Sequence, residues 1–240
     1  MADGAQDRRG ARRRATIEQI LDIALTLMEA DGVAGVTVAA IARELGIQPP
    51  SVYRYFSSLL DIYDALFARG QRENLAAFRG AVDAGPPGLP AVVAGMEANG
   101  RWAVAHPALA QLLFWRPVPG YRPTPEAFAP AEALVGLLGR QLRTAVETGQ
   151  VGAGADSDAG MDLLSVLYFG MLSQQLANEP GAPWESGRYT SRFGTVVRLF
   201  LAAYPPARRT DSPGPRPDRA RPPAAPRRRP RSTGSSSPEG

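Results

Sequence analysis

The chain contains no cysteine, no lysine and a single histidine among its 240 residues. Without cysteine there can be no disulfides and no thiolate metal sites. That absence suits a reducing compartment, and a cytoplasmic location is expected. One histidine leaves little for general acid–base or nucleophilic chemistry. No metal-ligand cluster, phosphate-cradling glycine loop or nucleophile–base pair is recognisable. The composition therefore argues against an enzyme, and neither a metal nor a cofactor is expected. Apolar runs fall short of the roughly 18 residues that a bilayer-spanning helix needs. The N-terminus lacks the apolar stretch of a signal peptide, so no membrane partner is expected.

With lysine missing, all 27 basic residues are arginine. Five lie at the start (Arg8, Arg9, Arg12, Arg13, Arg14) and nine in residues 205–240. Residues 15–204 hold 13 arginines against 18 acids. The body is thus mildly acidic, and an electrostatic case for nucleic acid rests on the two ends alone. The segment 205–240 also carries ten prolines. Such a composition cannot bury a core, and a disordered Pro/Arg-rich tail is expected there. Residues 1–14 are expected to form a disordered basic arm. Either end can add sequence-independent attraction to phosphate.

Between the ends the periodicity is helical throughout, with no strand alternation, and predicts an all-α protein. Ile17, Ile20, Leu21, Ala24, Leu25 and Met28 recur at helical spacing behind a Thr16/Gln19 capping box, and Asp31-Gly32 is a stop signal. Thr37 caps a second helix that turns Val38, Ile41, Ala42 and Leu45 inward and ends at Gly46. A third helix starts at Pro49-Pro50 and ends near Tyr55. Ser58 with Asp61 caps a fourth, reaching about Ala84. Further helices are predicted over 89–105, 107–115, 125–148, 158–178 and 184–204. The expected division is an arm (1–14), a three-helix head (15–57), a larger helical domain (58–204) and a tail (205–240).

The tight turn Gly46-Ile47-Gln48 joins the second and third helices of the head. This is a helix-turn-helix arrangement, in which glycine takes the positive φ of the turn. Ala42, Leu45, Ile47 and Val52 bury the crossing. Such a motif lays its third helix in the major groove of double-stranded DNA, first turn nearest the base edges.

The stretch "TIEQILDIALTLMEADGVAGVTVAAIARELGIQPPSVYRYFSSLLDIYDAL", Thr16 to Leu66, resembles the N-terminal domain of TetR/AcrR-type transcriptional regulators. The threonine cap, the "IARELGI" turn and the "VYRYF" ending carry the likeness together. The resemblance implies phosphate contacts for Thr37 and Tyr53. It puts Gln48, Pro49, Ser51 and Arg54 toward bases or the groove edge, and Tyr55 near the DNA backbone. Phe56 falls where the family locks helix three onto helix four. Two positions depart from the pattern: Leu59 replaces a phosphate-binding lysine, and Ala39 an occasional base-reading arginine. Fewer charged contacts are expected, with Arg8–Arg14 as compensation. The double proline has a reason in this setting. Near a helix start proline loses an N–H that had no intrahelical partner, and its φ is already helical. Its ring is apolar and suits a thymine methyl.

The same resemblance implies that the remaining helices bind a small molecule and form a homodimer through the last two long helices. A largely apolar cavity is expected from Met96, Trp102, Phe114, Trp115, Tyr121, Phe128, Met161, Tyr168 and Phe169. Arg101, Arg116 and Arg122 lie near enough in sequence to accept an anion, and His106 reads as a helix-end residue. The expected function is a ligand-relieved repressor on a palindromic operator. An activator, or a ligand-independent architectural DNA-binding protein, is the alternative.

Overall fold

A computed structural model describes residues 3–206; the tail from residue 207 onward lies outside the described residues. Among the described residues there are nine α-helices, two short 3-10 turns and no strand.

The first helix, α1, runs Asp3–Asp31. Residues 3–14, expected as a disordered arm, are therefore part of it. The segment holds five arginines and two alanines, strong helix formers, and its two glycines, Gly4 and Gly10, do not outweigh them. Thr16 is consequently no cap. Its hydroxyl donates to the Arg12 carbonyl at 3.1 Å within the helix. Ile20, Leu21, Ala24 and Met28 of α1 are buried, as their spacing requires.

Next come α2 (Val38–Leu45), α3 (Pro49–Val52) and α4 (Leu59–Asp83). Thr37 Oγ1 accepts the Ala40 N–H at 3.0 Å and starts α2. Gly46 ends it with φ 68° and ψ 29°, a left-handed conformation that a side chain would strain. The Gly46 and Ile47 N–H groups then return to the Arg43 and Ala42 carbonyls. The α-helical part of α3 stops at Val52, short of the expected Tyr55, and continues as a turn with Tyr55 N–H on the Val52 carbonyl at 2.9 Å. The chain must extend by Ser58 (φ −150°, ψ 167°) to cap α4, which leaves no room for another helical turn. Ser58 Oγ accepts the Asp61 N–H at 3.1 Å, and the Asp61 carboxylate accepts the Ser58 N–H at 3.1 Å. This is the expected capping box.

α4 is the spine of the molecule. It packs most extensively along α5 (Leu89–Ala105) and α7 (Pro125–Glu147), and also meets α1 and α6 (Pro107–Trp115). Arg69 on α4 pairs with Asp22 on α1 at 2.5 Å and with Glu73 at 3.2 Å. The described residues fall in one compact unit. The boundary expected between residues 57 and 58 falls at the foot of α4.

α8 (Asp158–Asn178) and α9 (Phe193–Ala203) complete the fold. The last helix was expected from residue 184 but begins only at Phe193, after a 3-10 turn over Thr190–Arg192. Buried Gln175 is the reason. Its Oε1 accepts the N–H groups of Tyr189 (3.1 Å) and Thr190 (3.3 Å), and its Nε2 donates to the Glu179 carbonyl at 2.9 Å. The incoming loop is pinned to α8 before it can coil. Trp184 packs inward against Gly100, where a Cβ would collide with the indole ring.

Candidate nucleic-acid interface and effector cavity

The head has one buried side and one free side. Val52 is fully buried and Phe56 packs against the core, so α3 turns its back to α1 and α2. Its other face is open. Thr37, Gln48, Tyr53 and Arg54 are exposed, and Pro49, Ser51 and Tyr55 are half-buried. None of the seven sequence-predicted DNA-facing residues is buried.

Local chemistry leaves these groups available. Gln48 is the N-cap residue of α3, but its side chain makes no capping bond, so the amide is free. Thr37 Oγ1 accepts within the protein, and its proton remains for an outside acceptor. Tyr53 is 53% exposed, unusual for a tyrosine with no partner to cover it. Leu59, in the place of the family's lysine, packs against the core, and Ala39 is exposed.

One contributor was not anticipated individually. Arg13 donates to the Arg54 carbonyl at 3.0 Å, and its guanidinium lies 5.4 Å from the Tyr55 ring centre. It ties the first helix to the end of the reading segment. A signal was present: Arg13 shares the inward stripe of Ile17, Ile20 and Ala24. Arg8, Arg9, Arg12 and Arg14 are exposed on the same helix.

Behind the head, residues of α4, α5, α6, α7 and α8 line two adjoining cavities that open to the surface beside Val135. One, about 210 Å³, is lined by Met96, Met161, Tyr168, Phe78 and Leu138. The other, about 280 Å³, is lined by Gln71, Asn74, Leu113, Phe114, Arg116 and Phe128. Asn99, Leu134, Val135 and Phe169 border both. A buried hydrogen-bond chain runs along this wall. The Tyr168 hydroxyl donates to Asn99 Oδ1 at 2.6 Å, and Asn99 Nδ2 donates to Asn74 Oδ1 at 2.7 Å. Burial pushes the Tyr168 phenol well above its usual range, so it stays a neutral donor.

Of the nine residues expected to form the cavity, Met96, Phe114, Phe128, Met161, Tyr168 and Phe169 line this space. Three do not. Trp102 stacks on His106, ring centres 5.3 Å apart, as part of the end of α5. Trp115 is 39% exposed on the outer surface, because the helix turns it opposite to the inward stripe of Leu109, Leu112 and Leu113. Tyr121 lies in an open groove, held by Asp64. Its hydroxyl donates to Asp64 Oδ1 at 3.0 Å, beside the Thr124 N–H (2.9 Å) and hydroxyl (2.8 Å) on the same carboxylate. Burial, and then the Asp64 charge, raise the Tyr121 phenol above its usual range. Arg116 does reach the cavity, over the Phe128 ring. Arg101 is instead paired with Glu185 at 2.7 Å and Glu97 at 3.4 Å, and Arg122 lines the open groove.

The polar lining, Gln71, Asn74 and Asn99, was missed. The signal was legible: Gln71 and Asn74 occupy the α4 stripe of Phe67 and Phe78, where an apolar residue is the rule.

Residues 20–66 match the family model "Bacterial regulatory proteins, tetR family", and residues 92–221, more than half of the chain, match "Tetracyclin repressor-like, C-terminal domain". The chain belongs to the TetR family. Members of this family are transcriptional regulators and not enzymes. The TetR-type chain is 34% identical over 131 residues to the HTH-type transcriptional regulator Rv1816 of Mycobacterium tuberculosis, covering 50% of this chain and 53% of that protein. It is 31% identical over 123 residues to the HTH-type transcriptional repressor DrrR1 of Streptomyces coeruleorubidus, covering 49% and 42%. The chain thus spans about half the length of the curated relatives it matches. Its TetR fold also superposes on the crystal structure of the transcriptional regulator FadR from Bacillus subtilis in complex with stearoyl-CoA, with a TM-score of 0.56 at 16% identity, over 77% of this chain and 97% of that one. No helix among the described residues is long and apolar enough to cross a membrane.

Proposed function

We propose that this chain is a ligand-relieved repressor, cytoplasmic, that binds a palindromic operator as a homodimer and releases it when a small molecule enters the cavity behind the head. The observation that carries the reading is the course of α4. It leaves the reading segment at Ser58 and, four turns on, supplies Gln71 and Asn74 to the cavity wall. One rigid rod therefore touches both the DNA-facing unit and the space for an effector. A molecule that fits the cavity better in one orientation of α4 shifts the population toward it, and with it the spacing of two heads.

In this reading Thr37, Tyr53 and Tyr55 hold phosphates. Gln48, Pro49, Ser51 and Arg54 meet the groove, and the exposed arginines of α1 add non-specific attraction. The repressor named DrrR1 and the acyl-CoA complex of FadR support the two halves of the assignment by likeness. The dimer is supported by Val166 on α8 and Leu199 on α9. They are 70% and 53% exposed, an apolar face of the kind that a second subunit covers.

Genomic footprinting of the full chain tests this. Recovery of a palindrome with half-sites about one helical turn apart is expected. Its affinity should exceed that for random DNA by roughly a thousandfold or more. A ratio near one would instead mark an architectural protein.

A further inference from the structure

The cavity wall carries amide groups that the protein itself leaves unused. Gln71 is only 5% exposed, lines the larger lobe, and makes no side-chain hydrogen bond among the described residues. Asn74 is 1% exposed and uses only its oxygen, as acceptor from Asn99. The chain Tyr168–Asn99–Asn74 thus ends at the lobe with a free N–H donor, and Gln71 adds a donor and an acceptor beside it. Neither amide is sealed off: among the described residues only Trp102 Nε1 is a fully buried side-chain polar atom without a partner, so the free groups of Gln71 and Asn74 are reachable from the lobe. A molecule that enters the lobe can take up these hydrogen bonds in place of water.

The charge of the lining narrows what that something is. Arg116 and Asp162 are the charged residues bordering the two lobes, and both are exposed at the rim. No buried cation stands near the amides to partner an anion. A carboxylate at that depth would be desolvated without a counter-charge. The smaller lobe, beside Met96, Met161 and Phe169, offers apolar and aromatic surface. Each lobe suits one or two fused rings, and together they fall within the size of an ordinary ligand site.

We propose that the effector is a neutral amphipathic molecule whose planar hydrogen-bonding group, an amide or lactam, seats on Gln71 and Asn74, and whose apolar body fills the lobe beside Met96 and Met161. The assignment rests on the reading of this cavity as the effector site. It also places the recognition of the polar group on α4, the helix that begins at the reading head.

The test uses the full chain loaded with the neutral fluorophore N-phenyl-1-naphthylamine, displaced by 2-naphthamide, 2-naphthoate or naphthalene. The amide is expected to displace the probe at about tenfold lower concentration than either of the others. Gln71→Leu should erase the gap between amide and hydrocarbon while naphthalene still competes. Gln71→Met serves the same purpose should the leucine variant fail to fold. Arg116→Gln should leave the amide preference intact. If 2-naphthoate displaces best and loses that advantage in Arg116→Gln, the cavity takes an anion, and the neutral class is overturned while the effector-site reading stands. Equal displacement by all three compounds also overturns the neutral class, since the amides then read nothing. Absence of saturable probe uptake overturns the effector-site reading itself.

Discussion

The guanidinium of Arg13 donates to the main-chain carbonyl of Arg54 at 3.0 Å and lies over the ring of Tyr55. Forty-one residues apart in sequence, the two arginines close the open end of the reading segment. α3 is only four residues long and cannot hold its own C-terminal side in place. The first helix supplies that support from outside.

Arg13→Gln should therefore loosen the segment that carries Tyr53, Arg54 and Tyr55. A loss of about three- to fivefold in affinity, similar for operator and random DNA, is expected from one exposed hydrogen bond. Arg14→Gln, which removes the same charge without that contact, is the control. Fluorescence anisotropy on labelled duplexes separates them. Equal losses in the two variants would reduce Arg13 to a bare charge.

Tyr53 presents its hydroxyl to the outside, 53% exposed and with no protein partner among the described residues. Tyr53→Phe should weaken binding to every sequence alike, by roughly two- to tenfold, because a phosphate contact carries no base information. Binding measured against a library of operator variants provides the check. A changed base preference would move Tyr53 from phosphate to base contact.

The capping box at the foot of α4 should respond to acid. Hydrogen bonds from the hydroxyls of Ser57 and Ser58 hold the Asp61 carboxyl below its ordinary range. A depressed carboxyl contributes stability that is present above the ordinary carboxylate pKa and fades as pH falls through its lowered value. Melting temperature should thus drop below about pH 4, and Asp61→Asn should flatten that part of the curve. Ser58→Ala should cost about 1 kcal/mol at neutral pH, seen as a fall of roughly 2–4 °C in thermal unfolding. An acid limb unchanged in Asp61→Asn would assign the acid sensitivity to another carboxylate.

Val166 and Leu199 stand exposed on α8 and α9. Changing both to glutamate should leave the fold intact, since neither is in the core, and should give a monomer by sedimentation velocity. Affinity for a palindrome should then fall to that for a single half-site. A double variant that still sediments as a dimer would place the subunit contact elsewhere.

Much of this protein could be read from local rules. Helix period, caps and breakers act over three or four residues. Thr37, Gly46 and Ser58 with Asp61 accordingly marked their helix boundaries correctly from sequence. The outward face of the reading segment followed from the same spacing, because Val52 and Phe56 must turn inward. What the local rules missed depended on distant partners. The arm became helix once nothing in it stopped α1. The final helix was cut back because Gln175, on another helix, binds the amides of Tyr189 and Thr190. Trp102, Trp115 and Tyr121 have the composition of a cavity wall, but packing directions sent them to a helix end, the outer surface and the Asp64 groove. Conversely, Gln71 and Asn74 became cavity residues only because α5 and α7 enclose that stretch of α4. Sequence alone determined the all-α class, the helix-turn-helix head and most helix caps, since those are set by neighbours along the chain. Which polar groups end up walled into a cavity was decided by tertiary packing, because enclosure requires surfaces from elements far apart in the chain.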